Sequence, residues 1–144
     1  TGQARNENRT AAGQVVRLKD FRGTSVVLYF YPKDDTPGCT AQACGLRDEW
    51  SAFEGRAEIF GVSIDPVASH ENFIAKYKLP FPLLSDPEKK IVRAYGVWVE
   101  KSMYGKKYMG TERTTFVIDG RGRIKEVLRK VKPAEHAEQL RAAL

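Results

Sequence analysis

The chain has 144 residues, 42% apolar and 29% charged, which suffices for one compact domain around a buried core. No apolar run approaches the roughly 20 residues that span a bilayer, and the polar start TGQARNENRTAAGQ has no secretory h-region, so a cytoplasmic protein without a membrane partner is expected. The net charge of +6 is interleaved with acidic residues, and its densest runs (Lys106-Lys107, Arg121 to Arg123, Arg129 to Lys132) are short, so it reads as a solvated face and not as a nucleic-acid site.

In chain order, residues 1–14 read as irregular. Val15 to Leu18 reads as a short strand, with a turn at Asp20 to Thr24. SVVLYFY, Ser25 to Tyr31, is a continuous apolar run, the pattern of a strand buried on both faces, and Pro32 ends it. After the loop KDDTPG a helix is predicted. Cys39, Ala43, Leu46, Trp50 and Phe53 step by four and three along one face, Asp35 or Thr36 caps the entry, Pro37 suits an early position and Gly55 marks the exit.

AEIFGVSI, Ala57 to Ile64, is a second buried strand. Val67 to Leu79 is a helix stopped by Pro80. Phe81 to Leu84 is a brief strand, and Pro87 to Tyr95 a helix capped by Ser85-Asp86. TTFVI, Thr114 to Ile118, pairs through the turn Asp119 to Gly122 with Arg123 to Leu128 as an antiparallel hairpin. Pro133 opens a last helix with Ala137, Leu140, Arg141 and Leu144 on one side. Strand-helix-strand order implies a parallel pair, and the late hairpin adds antiparallel strands. The expected fold is α/β: a single domain over residues 1–144, with a central mixed sheet flanked by helices. The first helix begins beyond the carboxyl end of a central strand, where open α/β sheets place their sites.

Cys39 falls at that helix start, five residues before Cys44, the only other cysteine. Unpaired N–H groups and the helix dipole favour a thiolate there, so Cys39 is expected to be the more acidic thiol. Five helical residues give about 7.5 Å of rise and about 140° of rotation, too far for a disulfide unless the helix start unwinds. The spacing suggests a switch, with the thiols apart when reduced. Thiol count and spacing alone also allow two unrelated buried cysteines. A thioredoxin-type pair needs C-x-x-C, which is absent. Two cysteines make neither a disulfide scaffold nor a zinc site, and His70 and His136, in polar helix-like stretches, read as surface residues. Trp50 and Phe53 read as core. Trp98, Tyr95, Tyr104 and Tyr108 read as packing residues or as a rim. Gln42, between the cysteines, receives no role.

Pro32-x-x-x-Thr36-x-x-Cys39 matches the peroxiredoxin active-site motif. The fuller YFYPKDDTPGCTAQAC resembles the bacterioferritin-comigratory-protein class, also called peroxiredoxin Q, whose second cysteine lies five residues after the first. GVSIDP at 61–66, LPFPLLSDP at 79–87, YGVW at 95–98 and ERTTFVID at 112–119 follow in order, so the resemblance covers about Val15 to Leu144. It implies a thioredoxin-like fold and thiol peroxidase activity without metal or cofactor. It makes Cys39 the peroxidatic thiol, attacking hydrogen peroxide or an organic hydroperoxide to become a sulfenic acid. Thr36 hydrogen-bonds the thiolate and the peroxide, Pro32 shields the pocket, and Arg113 is the active-site arginine. Cys44 resolves the sulfenic acid as an intramolecular disulfide, reduced by thioredoxin or a similar dithiol. Catalysis then needs only a monomer, and a dimer is compatible. Relatives begin with an Ala-Pro-Asp-Phe-like segment that TGQARNENRTAAGQ does not resemble, so the N-terminal hairpin is not carried over. Two competing readings are a peroxide-sensing redox switch without sustained turnover and, from the charge, a nucleic-acid binder.

Overall fold

Val26, Leu28 and Phe30 alternate with Val27, Tyr29 and Tyr31, and all six are buried. A strand covered on both faces belongs in the middle of a sheet. The computed structural model describes residues 8–10, 15–16 and 18–144. In it this strand, β3 (Val26–Phe30), is an interior strand, fifth from one edge and third from the other: the seven-stranded sheet runs β2-β1-β5-β4-β3-β8-β9. The members are β1 (Asn8–Thr10), β2 (Val15–Val16), β4 (Glu58–Ser63), β5 (Leu83–Ser85), β8 (Thr114–Ile118) and β9 (Ile124–Leu128). β3 pairs parallel with β4 and β4 with β5, while β8 joins β3 antiparallel, opposing Val26 to Ile118 and Phe30 to Thr114. The expected mixed sheet is thus observed.

The helices are α1 (Pro37–Asp48), α2 (Val67–Tyr77), α3 (Lys90–Ala94) and α4 (His136–Ala143). One core joins Val27, Tyr29 and Tyr31 to Ala43 and Leu46 of α1, Phe73 of α2 and Leu140 of α4. The other joins Val26, Leu28 and Phe30 to Ile91 and Val92 of α3, with Tyr95, Val97 and Phe116. The alternation of β3 therefore decides which helix meets which face.

Several expectations are corrected. Part of the stretch read as irregular forms β1, which pairs with β2 (Asn8 opposite Val16) and with β5 (Arg9 opposite Ser85), so a short N-terminal hairpin exists. Residues 1–7 and 11–14 lie outside the described residues. Of the strand expected over Val15 to Leu18, Val15–Val16 forms β2, Arg17 lies outside the described residues, and Leu18 opens a 3-10 turn, Leu18–Phe21. The first helix stops at Asp48 and Trp50–Ala52 continues as a 3-10 turn, which still buries Phe53. α3 starts later than predicted because Lys89 is left-handed, at φ 62°, and the buried Asp86 carboxylate accepts the N–H groups of Ile91 and Val92 at 3.0 and 2.9 Å. A hairpin of β6 (Trp98–Met103) and β7 (Lys106–Thr111) was not legible, since most of its side chains are exposed and no apolar alternation marks it. Its turn has Tyr104 and Gly105 at φ 53° and 78°, the two positive angles of a type I′ turn. His70 and His136, read as surface residues, are both fully buried.

Candidate active site

β3 delivers the chain to the site. Tyr31 still donates its N–H to Val62, and the half-buried Pro32, which has no N–H, ends the pairing. The loop that follows is anchored by two adjacent aspartates in different ways. Asp34 is buried: its carboxylate accepts from the Tyr31 hydroxyl, from Ser69 Oγ at 2.7 Å and from His70 Nδ1 at 2.6 Å. Its N–H donates to Asp65 Oδ2 at 2.8 Å, which also accepts from Ser63 Oγ. Asp35 is exposed at φ 56° and held by Lys76 Nζ and the Tyr77 hydroxyl at 2.8 and 2.7 Å. These bonds lower the Asp35 pKa, that with Lys76 first.

Asp34, Asp65 and His70 also bring metal-ligand atom types within 4.8 Å of one another. Each is already engaged, and His70 Nε2 meets the Leu84 carbonyl at 3.0 Å. A carbonyl only accepts, so Nε2 carries a proton, while Nδ1, the ring atom inside the cluster, is taken up by the Asp34 carboxylate. The cluster reads as the anchor of the loop.

Of the two cap candidates in the sequence, Thr36 and not Asp35 is the extended N-cap of α1. Its carbonyl accepts the Thr40 N–H at 2.8 Å, but its hydroxyl makes no cap bond and instead donates to the Lys33 carbonyl at 2.9 Å. Pro37 follows at the first helical position, and Cys39 sits in the first turn, 2% exposed. Cys44 is half-buried further along the same helix, and both thiols are free.

Arg113, between β7 and β8, reaches this helix start. Nη1 donates to Cys39 Sγ at 3.4 Å and to Gln42 Oε1 at 2.7 Å. Its backbone is fixed because its carbonyl accepts the Val131 N–H at 2.9 Å. The neighbouring Glu112 accepts from Arg129 Nε at 3.1 Å and Thr114 Oγ1 at 2.9 Å, and the Arg129 bond is the largest cause of its lowered pKa. Lys101, on β6, has its amine pKa lowered by burial first and then by the Arg113 charge.

The structure thus brings Cys39 and Arg113 into contact, and puts Thr36 at the cap, Pro32 at the loop entry and Cys44 on the same helix. Sequence reasoning missed Gln42 and His136. Gln42 is fully buried and its Nε2 lies 3.1 Å from His136 Nδ1, while His136 Nε2 lies 2.8 Å from Thr115 Oγ1. The available signal was helical spacing: Gln42 falls three residues after Cys39, on the same face.

The sequence pattern of the AhpC/TSA family matches residues 3–127. A protein of Coxiella burnetii named putative peroxiredoxin bcp is 49% identical over 132 residues, covering 91% of this chain and 87% of that protein. Peroxiredoxin Bcp of Bacillus subtilis is 49% identical over 128 residues, 88% and 82% of the two chains. Among solved structures, Xanthomonas campestris bacterioferritin comigratory protein, studied for alkyl peroxide reduction, superposes with a TM-score of 0.90 at 41% identity, over 96% of this chain and 88% of that one. Peroxiredoxin 6 of Arenicola marina, 20% identical, shares the fold at a TM-score of 0.83, over 99% and 70%.

Proposed function

The chain belongs to the AhpC/TSA family, as a peroxiredoxin of the bacterioferritin-comigratory-protein class, and on that premise we propose that Cys39 is its peroxide-reacting thiol and Cys44 its resolving thiol. The observation that carries the reading is Arg113 Nη1 at 3.4 Å from Cys39 Sγ in the first turn of α1.

The thiolate of Cys39 attacks the terminal oxygen of a hydroperoxide. The O–O bond breaks, sulfur keeps that oxygen as a sulfenic acid, and the other oxygen takes a proton and leaves as water or an alcohol. Arg113 is always charged and faces the sulfur, so it supports the negative charge that moves onto the leaving oxygen. The Thr36 hydroxyl donates its hydrogen bond to the Lys33 carbonyl, so toward a hydroperoxide it acts as an acceptor. Pro32 covers the loop entry without adding a donor.

The Cys44 thiol then attacks the Cys39 sulfenic acid, forming a disulfide and releasing water. Within α1 the two residues are separated by about 7.5 Å of rise, so the first turns of α1 must unwind for this step. A dithiol protein such as thioredoxin takes up the disulfide by exchange and is itself oxidised. One polypeptide suffices for this cycle.

The test is to add one equivalent of hydrogen peroxide to the reduced protein, quench within seconds and map the thiols. The expected result is loss of two hydrogens in the parent, a trappable sulfenic acid on Cys39 in Cys44→Ser, and none in Cys39→Ser. Unchanged thiols over minutes would reject the reading. Fast oxidation without recycling by a thioredoxin system would favour a peroxide-sensing switch.

A further inference from the structure

Behind the Cys39–Arg113 contact lies a buried chain of polar groups whose donors and acceptors permit one assignment. Arg113 has only donors, so the Gln42 atom at 2.7 Å from Nη1 is the carbonyl oxygen. The Gln42 amide nitrogen therefore faces His136 Nδ1 at 3.1 Å and donates to it. Nδ1 is then the lone pair, and the imidazole proton sits on Nε2, donating to Thr115 Oγ1 at 2.8 Å. Every one of these inner groups is buried, with Gln42, Thr115 and His136 at 0% exposure.

We propose that His136, set by Thr115, is a positioning residue for the reacting thiol: its Nδ1 lone pair fixes the Gln42 amide so that the carbonyl oxygen faces Arg113 and holds the guanidinium on Cys39. This rests on the reading of Cys39 as the peroxide-reacting thiol. Rotating the Gln42 amide would set its NH2 group against Arg113, donor against donor, and a proton on His136 Nδ1 would force that rotation. The surroundings disfavour such a proton. Burial lowers the His136 pKa to about 3, with the Arg113 charge acting in the same direction. The Tyr29 ring, 5.4 Å away between centroids, packs against the imidazole. Thr115 comes from β8 and His136 from the start of α4, so the guanidinium is registered to two elements that carry no reacting atom.

A histidine that merely filled the core would be replaced as well by an apolar ring as by an amide. His136→Gln keeps an acceptor and a donor across the same three-atom span, as the imidazole Nδ1–Cε1–Nε2 does, whereas His136→Phe keeps only volume. The experiment measures the rate of Cys39 oxidation by hydrogen peroxide in the Cys44→Ser background, together with melting temperature. His136→Phe is expected to be about tenfold slower than that background, and His136→Gln within about threefold of it, at comparable stability. Thr115→Val, which removes only the hydroxyl that accepts the His136 Nε2 proton, is expected to fall between them. Isotope-labelled histidine-ring NMR of the reduced protein at neutral pH, with His136 identified by its loss in His136→Gln, is expected to show the Nε2–H form.

A His136→Phe rate equal to the background, or a His136→Gln rate as slow as His136→Phe, overturns the proposal. So does an Nδ1–H tautomer or an imidazolium at His136 in the folded protein. If His136→Phe does not fold, Thr115→Val and the NMR signal decide. A background protein no faster with peroxide than a free thiol defeats the Cys39 reading instead. The positioning is then read from Cys39 alkylation by iodoacetamide, which His136→Phe slows if the proposal holds and leaves unchanged if it fails.

Discussion

Nη2 of Arg113 lies 3.1 Å from the point where a Cβ on Gly38 would stand. Gly38 is the residue before Cys39, so a side chain there would press on the guanidinium beside the thiol. Gly38→Ala adds a methyl group that Arg113 must yield to, with Pro133 Cγ at 3.5 Å on another side. Peroxide reactivity is expected to fall roughly tenfold while the melting temperature stays near that of the parent, because misplacing one group at a reacting centre costs rate before stability. Stopped-flow rates set beside thermal melts check this, and an unchanged rate would remove Gly38 from the account.

Arg113→Lys keeps the charge but loses the planar fork. Arg113 Nη1 serves Cys39 and Gln42 together. Lysine cannot reproduce that placement, so the peroxide rate is expected to drop about 100-fold or more, the range for removing one donor aimed at a transition state. Retention of most of the rate would mean that charge alone suffices.

Asp34 and Asp35 are neighbours with opposite sensitivities. Asp34→Ala strips the acceptor from Tyr31, Ser69 and His70 in the interior and is expected to cost about 3–5 kcal/mol. Asp35→Ala removes an exposed pair with Lys76, and its stability should stay close to the parent's. Urea denaturation of both variants gives the comparison, and equal losses would contradict the burial argument.

Acid should weaken the fold through His136. Its folded pKa of about 3 lies below the ordinary 6.5, so between these values the unfolded chain binds a proton that the folded chain excludes. Stability is therefore intact above pH 6.5 and declines as the pH falls toward 3. At about pH 4.5 this one group is expected to cost about 2–3 kcal/mol relative to neutral pH. His136→Gln lacks the group, so its urea midpoint should fall less on acidification; parallel pH curves for the two proteins would sink the idea.

Oxidation should open α1 from its start. Since Cys39 and Cys44 both lie within Pro37–Asp48, disulfide formation is expected to strip hydrogen-exchange protection from the first turns of α1 while β3 and β4 keep theirs. A disulfide within an unaltered helix would refute it. The same unwinding carries Gln42 away from His136.

Much of this molecule was legible from local pattern. The apolar run of β3, the fours and threes of α1, the proline after Tyr31 and the cysteine at a helix start are consequences of side-chain period and backbone chemistry acting over a few residues. What the sequence could not decide is how distant segments meet. His70 and His136 sit among polar neighbours on helices, and only packing reveals that each faces inward, toward Asp34 and toward Gln42. The β6–β7 hairpin escaped because its side chains are mostly exposed, so no core imposed an alternation on it. Arg113 was placed by resemblance to a family motif, but its hold on Cys39 and Gln42 depends on β8 lying antiparallel to β3 and on Val131 fixing its backbone. Periodicity encodes which face is buried; the partner buried against it is chosen by long-range pairing, which no short window of sequence contains.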